Sequence, residues 1–324
     1  MNILVTGGAG YLGSVTTLQL LERGHTVRIV DNLLHGQTAV AKLLADAGAE
    51  VMIGDLRDPE VRTCALARVR RVVHLGAIVG DVACREDTEL SDTVNLVASR
   101  ALIAEAGAAG VEHLVFASTC SNYGIVDHDD AVDETYPLRP VSRYAQQKVA
   151  IEAELLDEDA PFAMSVSCLR FATLYGASPR MRFDLLVNEF ARDLWGDRTI
   201  EVYGARTWRP YVHVTDAARA IVATLAHATA APGPRRATFN IGIDESNHRK
   251  LDVAQLVART LGQGEIVETP HGDDTRTYRV SFARMRKELD VQLDWTVERG
   301  AREIAALLDS GQIVDPYAAI HVNA

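Results

Sequence analysis

Residues 3–13 read Ile-Leu-Val-Thr-Gly-Gly-Ala-Gly-Tyr-Leu-Gly, an apolar run followed at once by glycines three residues apart at 7, 10 and 13. The apolar run predicts a buried β-strand, and the residues from Tyr11 onward predict a helix. Gly7 permits the tight turn between them, Gly10 lets the backbone approach a pyrophosphate, and Gly13 lets the helix pack closely on the strand. Because the amides at the N-terminus of a helix bind anions, this stretch predicts a dinucleotide site.

The same strand-then-helix order continues through the first half of the chain. Short apolar runs with little polar alternation predict strands buried on both faces, and the longer patterns between them predict helices. Such alternation builds a parallel sheet through right-handed crossovers, so the predicted fold class is α/β with a Rossmann-type doubly wound parallel sheet. The predicted strands lie at 3–5, 27–30, 51–53, 72–75, 114–116 and 164–166, and the predicted helices at 11–23, 38–48, 88–109 and 142–157.

An acidic residue ends the second predicted strand. Asp31 lies at the distance from the glycine loop at which a carboxylate accepts hydrogen bonds from the ribose hydroxyls of a dinucleotide. Its charge would repel a 2′-phosphate, and Asn32-Leu33 offers no adjacent cation to neutralise one. The sequence therefore predicts NAD rather than NADP. Asp55-Leu56 follows the third predicted strand, where a side chain could reach the adenine edge.

After Arg170 the pattern changes, because prolines divide the chain into shorter elements. We expect a smaller mixed α/β C-terminal lobe that binds the substrate. The predicted NAD-binding Rossmann domain spans 1–169 with a return segment near 211–242, and the substrate-binding lobe spans 170–210 and 243–324. Helices are predicted at 183–194, 214–229, 250–261 and 296–309, a returning strand near 237–241, and a loop at 231–234.

Composition and charge exclude several classes of protein. The chain has 324 residues, 48% of them hydrophobic, which is enough for a sizeable core. A net charge of −11 gives no long-range attraction for nucleic acid or anionic lipid, so we expect neither partner. No apolar run approaches the roughly 20 residues that cross a bilayer, and the first residues show no leader pattern, so we expect a cytoplasmic protein. The four separated cysteines, Cys64, Cys84, Cys120 and Cys168, predict neither disulfides nor a metal site.

Tyr144 and Lys148 occur as Tyr-Ala-Gln-Gln-Lys within a predicted helix. The four-residue spacing places both side chains on one face of that helix. A phenol has an ordinary pKa of about 10 and is a poor base at neutral pH, but nearby positive charge favours its phenolate form. With the nucleotide loop in the same chain, the pair predicts a site that moves a proton to or from a hydroxyl group.

With these motifs the chain resembles an extended short-chain dehydrogenase/reductase of the NAD-dependent nucleotide-sugar epimerase/dehydratase family. The resemblance covers nearly the whole sequence. It depends on Thr-Gly-Gly-Ala-Gly-Tyr-Leu-Gly at 6–13, Asp31-Asn32-Leu33, His74-Leu75-Gly76-Ala77, Ala117-Ser118-Thr119, Tyr123-Gly124, Tyr144 with Lys148, Leu169-Arg170, Tyr175-Gly176, Arg209 to Asp216, Phe239-Asn240-Ile241-Gly242, and Asp274 with Arg276.

The resemblance implies roles for particular residues. Counting back from Tyr123-Gly124, Thr119 matches the catalytic Ser/Thr position, which makes Thr119, Tyr144 and Lys148 the implied catalytic triad. The implied cofactor-binding residues are Gly7, Gly10, Tyr11, Leu12, Asp31, Asn32, Asp55, Leu56, Leu75, Ala77, Tyr144 and Lys148. The implied substrate-binding residues are Val79, Thr119, Thr173, Arg209 and Arg276, of which the two arginines would hold a nucleotide diphosphate. The resemblance also implies a nucleotide-diphosphate sugar as substrate, no metal, and a homodimer formed through the helices at 88–109 and 142–157.

The chain departs from the family pattern at several positions. Sugar 4,6-dehydratases follow the catalytic Thr with an Asp-Glu pair, but Thr119 is followed by Cys120-Ser121, which has no carboxylate and disfavours dehydration. Thr173 replaces a frequent Asn, and Pro210 replaces the Asp of the family's Arg-Asp-Tyr. Cys120 is read as a buried inert thiol rather than an acid, and the role of Cys84 stays open.

The predicted function is an NAD-dependent nucleotide-sugar epimerase that inverts C4 through a transient 4-keto sugar. Two alternatives keep the same site: a nucleotide-sugar 4-dehydrogenase or ketoreductase, which turns over its cofactor, and, less favoured, a 4,6-dehydratase. A non-enzymatic alternative is an NAD-binding sensor on the same fold, because a fold alone does not fix activity.

Overall fold

A parallel seven-stranded sheet forms the centre of the chain. The structure is a computed structural model that describes residues 2–128, 130–227, 235–262, 264–269 and 275–323. The sheet has the strand order β3-β2-β1-β4-β5-β6-β10, the Rossmann order extended by one strand. Its strands are β1 (Asn2–Thr6), β2 (Thr26–Asp31), β3 (Glu50–Ile53), β4 (Arg71–His74), β5 (His113–Thr119), β6 (Ser165–Phe171) and β10 (Arg236–Ile241).

Helices cover both faces of this sheet. Ile3 and Val5 of β1 join one buried apolar cluster and Leu4 joins another, because successive side chains of a strand point to opposite faces. The helices of this part are α1 (Tyr11–Glu22), α2 (Thr38–Asp46), α3 (Pro59–Leu66), α4 (Asp81–Glu86), α5 (Thr88–Asp92), α6 (Ser99–Ala108), α7 (Arg143–Leu156) and α9 (Val214–His227), and a π-helical segment at Thr93–Ala98 joins α5 to α6.

The second half of the chain adds a lobe with its own apolar cluster, in which Phe190, Val257 and Ile304 are buried. It contains a mixed three-stranded sheet of order β11-β9-β7 and a parallel pair β12-β8. Its elements are β7 (Thr173–Tyr175), α8 (Leu186–Trp195), β8 (Ile200–Tyr203), β9 (Trp208–His213), β11 (Asn247–Arg249), α10 (Lys250–Leu261), β12 (Ile266–Thr269), α11 (Ala283–Leu289) and α12 (Val297–Asp309). Residues 278–289 pack instead into the cluster that contains Ile3 and Val5.

The predicted α/β class, the six predicted strands and the returning strand near 237–241 are confirmed. The predicted helix at 88–109 is not one regular α-helix, because the π-helical segment interrupts it, and the helix predicted from 183 begins only at Leu186, after an extended Leu185. Three helices, α3, α4 and α11, and the short strands of the second lobe were not predicted, because segments of three to eight residues carry too little periodicity. Residues 228–229, the loop at 231–234 and Asp274 lie outside the described residues.

The cysteines are all free thiols, of which only Cys64 is exposed. Across the described ranges, no three His, Cys, Asp or Glu side chains come together in a way that could hold a metal ion. No helix in the described part of the chain combines the length and the apolar content that crossing a bilayer requires.

Candidate active site

A cleft of about 960 Å³ opens at the carboxyl edge of the seven-stranded sheet. This is the edge at which open α/β sheets bind ligands. The cleft is bordered by the residues that follow β1, β2, β4 and β5, by the start of α7, and by segments of the second lobe. It therefore receives side chains from both halves of the chain.

The glycine loop after β1 lies in this cleft and is closely packed. Gly7 has a φ of +65°, and a Cβ there would lie 2.9 Å from the Gly76 backbone, so a side chain is excluded on two grounds. A Cβ on Gly13 would lie 2.0 Å from the Gly7 carbonyl oxygen, which explains how closely α1 approaches the loop. Within the described chain, α1 begins without a side-chain cap or an acidic residue in its first turn. Its first amides are therefore suited to an anion.

Asp31 is buried at the end of β2, next to the glycine loop. Its carboxylate accepts hydrogen bonds from the amides of Ala9, at 3.0 Å, and Leu33, at 2.9 Å. Burial raises the pKa of Asp31, and these amides and the Arg180 charge oppose that rise. The sequence offered no neighbouring cation, but the fold brings in Arg180 from the segment after β7.

The remaining implied cofactor residues line the same cleft, with one difference in role. Leu12, Asn32, Asp55, Leu56, Leu75 and Ala77 border it, and the Asp55 carboxylate is ion-paired with Arg57 at 2.7 Å. Tyr11 also lines the cleft, but its hydroxyl donates to the Gly176 carbonyl at 2.6 Å and accepts from Asn188. The excluded side chain at Gly7, the uncapped helix and the buried carboxylate together fit NAD.

Tyr144 and Lys148 both face this cleft from α7, as their spacing predicted. Lys148 Nζ lies 5.7 Å from the centre of the Tyr144 ring and 4.7 Å from that of Phe116. Burial lowers the pKa of Lys148 to about 8. Burial also raises the pKa of the Tyr144 phenol, so this phenol needs added positive charge to act as a base at neutral pH.

Hydroxyl groups converge on the cleft from the end of β5. Thr119 lines it, and its Oγ1 accepts from the Ser121 amide at 3.1 Å. Ser121 also borders the cleft, and its hydroxyl lies 3.4 Å from that of Tyr278. The sequence did not predict the contact between Ser121 and Tyr278, since no local pattern connects positions so far apart.

A buried ion pair lies next to Ser118, the strand residue that precedes Thr119. Glu152, on the same helix as Tyr144, is paired with Arg170 of β6, with 2% and 5% of their side chains exposed. Glu152 also accepts from the Ser118 hydroxyl at 2.5 Å. Helix α7 is thereby tied to the strand residue that precedes Thr119.

The implied substrate-binding residues Val79, Thr173, Arg209 and Arg276 all line the cleft. The Arg209 guanidinium lies 5.1 Å from the centre of the Tyr278 ring and donates to the Trp208 carbonyl at 2.8 Å. Arg276 Nη2 lies 2.8 Å from Asp81 Oδ2, an ion pair that the sequence did not predict.

Cys120, which the sequence analysis read as an inert thiol, and Cys84, whose role it left open, lie outside the described lining of the cleft. Cys120 Sγ donates to the Arg170 carbonyl at 3.1 Å, and burial raises the pKa of its thiol. Cys84 is buried beside Asn95 and Gln147, and burial raises its pKa to about 11. Both are protonated thiols at neutral pH, so neither acts as an anionic base there.

Comparisons with known proteins agree with this geometry. The model of the NAD dependent epimerase/dehydratase family matches residues 3–242. The UDP-glucose 4-epimerase of Corynebacterium glutamicum is 29% identical over 316 residues, which cover 92% of this chain and 91% of that protein. The UDP-glucose 4-epimerase of Streptomyces lividans is 29% identical over 308 residues, which cover 88% of this chain and 89% of that protein.

Solved structures give the same result. The UDP-glucose-4-epimerase of Stenotrophomonas maltophila, with bound NAD and formylated UDP-arabinopyranose, has a TM-score of 0.86 at 25% identity and covers 97% of this chain and 100% of that one. The Thermus thermophilus UDP-glucose 4-epimerase in complex with NAD has a TM-score of 0.82 at 29% identity and covers 94% and 98%. Since the family model spans the sheet, the glycine loop and the Tyr-Lys pair, this chain belongs to the NAD dependent epimerase/dehydratase family.

Proposed function

We propose that this chain is an NAD-dependent nucleotide-sugar epimerase that inverts C4 of the sugar through a transient 4-keto intermediate. The observation that carries the proposal is the convergence of Thr119, Tyr144 and Lys148 on the cleft that holds the glycine loop and Asp31. Relatives named UDP-glucose 4-epimerase, similar over about nine tenths of the chain, support the same reaction.

In this proposal the side chains orient the sugar and move one proton. The Thr119 hydroxyl hydrogen-bonds the C4 oxygen, and the Tyr144 phenolate removes the proton of that hydroxyl and later returns it. NAD, when bound, supplies a pyridinium charge and a reversible acceptor for the C4 hydride. Lys148 adds positive charge 5.7 Å from the centre of the Tyr144 ring. Arg182 and Arg276 lower the pKa of Tyr144 against the effect of burial.

The substrate is proposed to be a nucleotide-diphosphate sugar. Arg209 and Arg276 supply guanidinium groups in the cleft, and guanidinium suits a diphosphate. Dehydration is less well supported, because Cys120 is a buried thiol and Ser121 a hydroxyl where the dehydratase pattern has carboxylates.

Three further expectations remain proposals. We propose the division into an NAD-binding domain, 1–169 with 211–242, and a substrate lobe, 170–210 with 243–324, supported by the separate apolar cluster of the lobe. A homodimer through the helical segments at 88–109 and 142–157 is supported by Val97 of the π-helical segment, which is apolar and 61% exposed. A cytoplasmic location is supported by four free thiols.

The decisive experiment incubates the purified protein with nucleotide sugars in deuterated water and identifies products by NMR. The proposal expects C4 epimers, no deuterium at C3 or C5, and no net change in NADH absorbance. Stoichiometric NADH change would instead identify a dehydrogenase or ketoreductase, and NAD binding without turnover of any sugar would identify a sensor. The Tyr144→Phe variant should lose turnover by at least about 100-fold and keep its NAD affinity, since it lacks only the proton-transferring oxygen.

A further inference from the structure

The first turn of α1, whose amides would bind the NAD diphosphate, has no side-chain cap within the described residues. Gly10 is its N-cap residue, and the glycines at 7, 10 and 13 leave the backbone before and within this turn free to change conformation. Helix ends without a cap fray, and ordering them around a ligand costs conformational entropy. The first turn therefore binds an anion more tightly if contacts from elsewhere in the chain already fix it.

Residues 176–178, which follow β7 and are called the clamp segment here, make such contacts. The Tyr11 hydroxyl donates to the Gly176 carbonyl at 2.6 Å, and the Ser178 hydroxyl donates to the Tyr11 carbonyl at 2.7 Å. The Ser178 and Ser14 hydroxyls lie 3.1 Å apart, and all three contacts are buried. The clamp segment thereby holds both the Tyr11 side chain and the backbone of the first turn.

Glu303 of α12 binds the clamp segment. Its Oε2 accepts from the Ala177 amide at 2.8 Å, and the same oxygen lies 2.8 Å from His213 Nε2. The Thr215 amide donates to His213 Nδ1 at 3.1 Å, so the ring proton lies on Nε2 and is donated to Glu303. His213 is fully buried, and a Cβ on Gly176 would lie 2.0 Å from its Nε2. Glu303 thus joins the clamp segment to a buried imidazole against which the segment is closely packed.

Glu303 itself lies outside the described lining of the cleft. It would act on the cofactor through the clamp segment, since the Ala177 amide lies between the two residues of that segment that contact α1. Asn188 is placed differently: it accepts from the Gly176 amide at 2.8 Å and donates to the Tyr11 hydroxyl at 3.1 Å, so it contacts α1 directly. Replacing Glu303 therefore tests the clamp segment without removing a contact of α1.

We propose that Glu303 is a positioning residue for NAD. Through the Ala177 amide it fixes the clamp segment, and the clamp segment fixes the first turn of α1, whose amides bind the diphosphate. The inference rests on the proposed function for the cofactor that the reaction uses, but it does not depend on which sugar reacts. A helix of the second lobe thereby contributes to cofactor affinity without touching the cofactor.

The test compares Glu303→Ala with Glu303→Gln by the Kd for NAD, measured by calorimetry, and by kcat for UDP-glucose at saturating NAD. Glu303→Ala removes the acceptor and should raise the Kd about tenfold, with kcat changed less than about threefold. Glu303→Gln keeps an oxygen that can accept from both the Ala177 amide and His213, so it should restore the affinity. Arg302→Ala changes an exposed neighbour on the same helix and is the control, with no change in Kd expected.

The outcomes separate positioning from a general structural role. Lower stability of a folded Glu303→Ala with an unchanged Kd would overturn the inference and leave the epimerase proposal standing. An equal loss of affinity in Glu303→Gln would also overturn it, because the charge rather than the shared oxygen would then be responsible. A parent protein that binds no NAD would overturn both proposals.

Ser178→Ala tests the same segment from its other side. It removes the hydroxyl that donates to the Tyr11 carbonyl, so it should also weaken NAD binding, and it replaces Glu303→Ala if that variant does not fold. In the double variant the increase in Kd should be smaller than the product of the two single increases, because both changes release one segment. An increase equal to that product would show independent action and overturn the inference.

Discussion

Replacing Glu152 by Gln tests whether the buried Glu152–Arg170 ion pair must stay intact for the fold to be stable. Gln keeps the shape of the side chain but leaves the Arg170 guanidinium, 5% exposed, without a compensating charge. Breaking a buried pair by removing one partner costs about 3–5 kcal/mol, because the remaining charge stays buried. We expect the free energy of unfolding to fall by that amount, measured by urea denaturation with circular dichroism.

A matched control distinguishes the effect of breaking a buried ion pair from the effect of breaking an exposed one. Glu288 pairs with Arg284 at 3.0 Å on α11, with 38% and 39% of the side chains exposed. Glu288→Gln should cost less than about 1 kcal/mol, since exposed pairs contribute little. Equal losses in the two variants, or a loss below about 1 kcal/mol in Glu152→Gln, would refute the reasoning.

The remaining predictions concern the cofactor loop, the lysine and the buried thiol. Gly7→Ala should weaken NAD binding by at least about 100-fold, measured by calorimetry. The control is Gly24→Ala, at φ +73° with no atom within 4 Å of the added Cβ, which should cost ~1 kcal/mol of stability and leave NAD affinity intact. Similar NAD affinities of the two variants would contradict the packing argument. Burial lowers the pKa of Lys148 to about 8 from an ordinary 10.5. Between these two pH values the unfolded chain therefore binds more protons than the folded one, so the free energy of unfolding rises with pH. For the cofactor-free protein, measured relative to Lys148→Met, it should rise by up to about 3 kcal/mol from pH 8 to 10.5. If the difference in free energy of unfolding between the parent protein and Lys148→Met, measured by urea titration, stays constant across that pH range, the pKa of Lys148 is not lowered. Cys120→Ala should keep turnover within about threefold, because the thiol contacts the Arg170 carbonyl; loss of turnover in a folded variant would return the thiol to the mechanism.

The sequence was most informative where function depends on neighbours along the chain. The glycine spacing at 7, 10 and 13 and the four-residue spacing of Tyr144 and Lys148 express local geometry, so strand, loop and helix could be predicted with their cleft-facing residues. The doubly wound parallel sheet was predicted from the same alternation and the handedness of crossovers.

What could not be predicted depends on residues far apart in sequence. The Asp81–Arg276 ion pair, the approach of Arg180 to Asp31 and the contact of Ser121 with Tyr278 each join segments that only the folded chain brings together. Three- and four-residue strands such as β7 and β8 were missed because their pairing partners, not their own composition, hold them in place.

The hydroxyl of Tyr11 reaches out of the first turn of the cofactor helix to the Gly176 carbonyl in the other half of the chain. The Tyr11 side chain therefore both lines the dinucleotide cleft and connects the two halves of the chain by a hydrogen bond. An excised fragment ending at residue 169 would lose that acceptor, and with it the apolar side chains of 212–225 and 278–289 that complete one face of its sheet. Engineers who wish to transplant the nucleotide pocket onto another scaffold must carry these distant segments along with it.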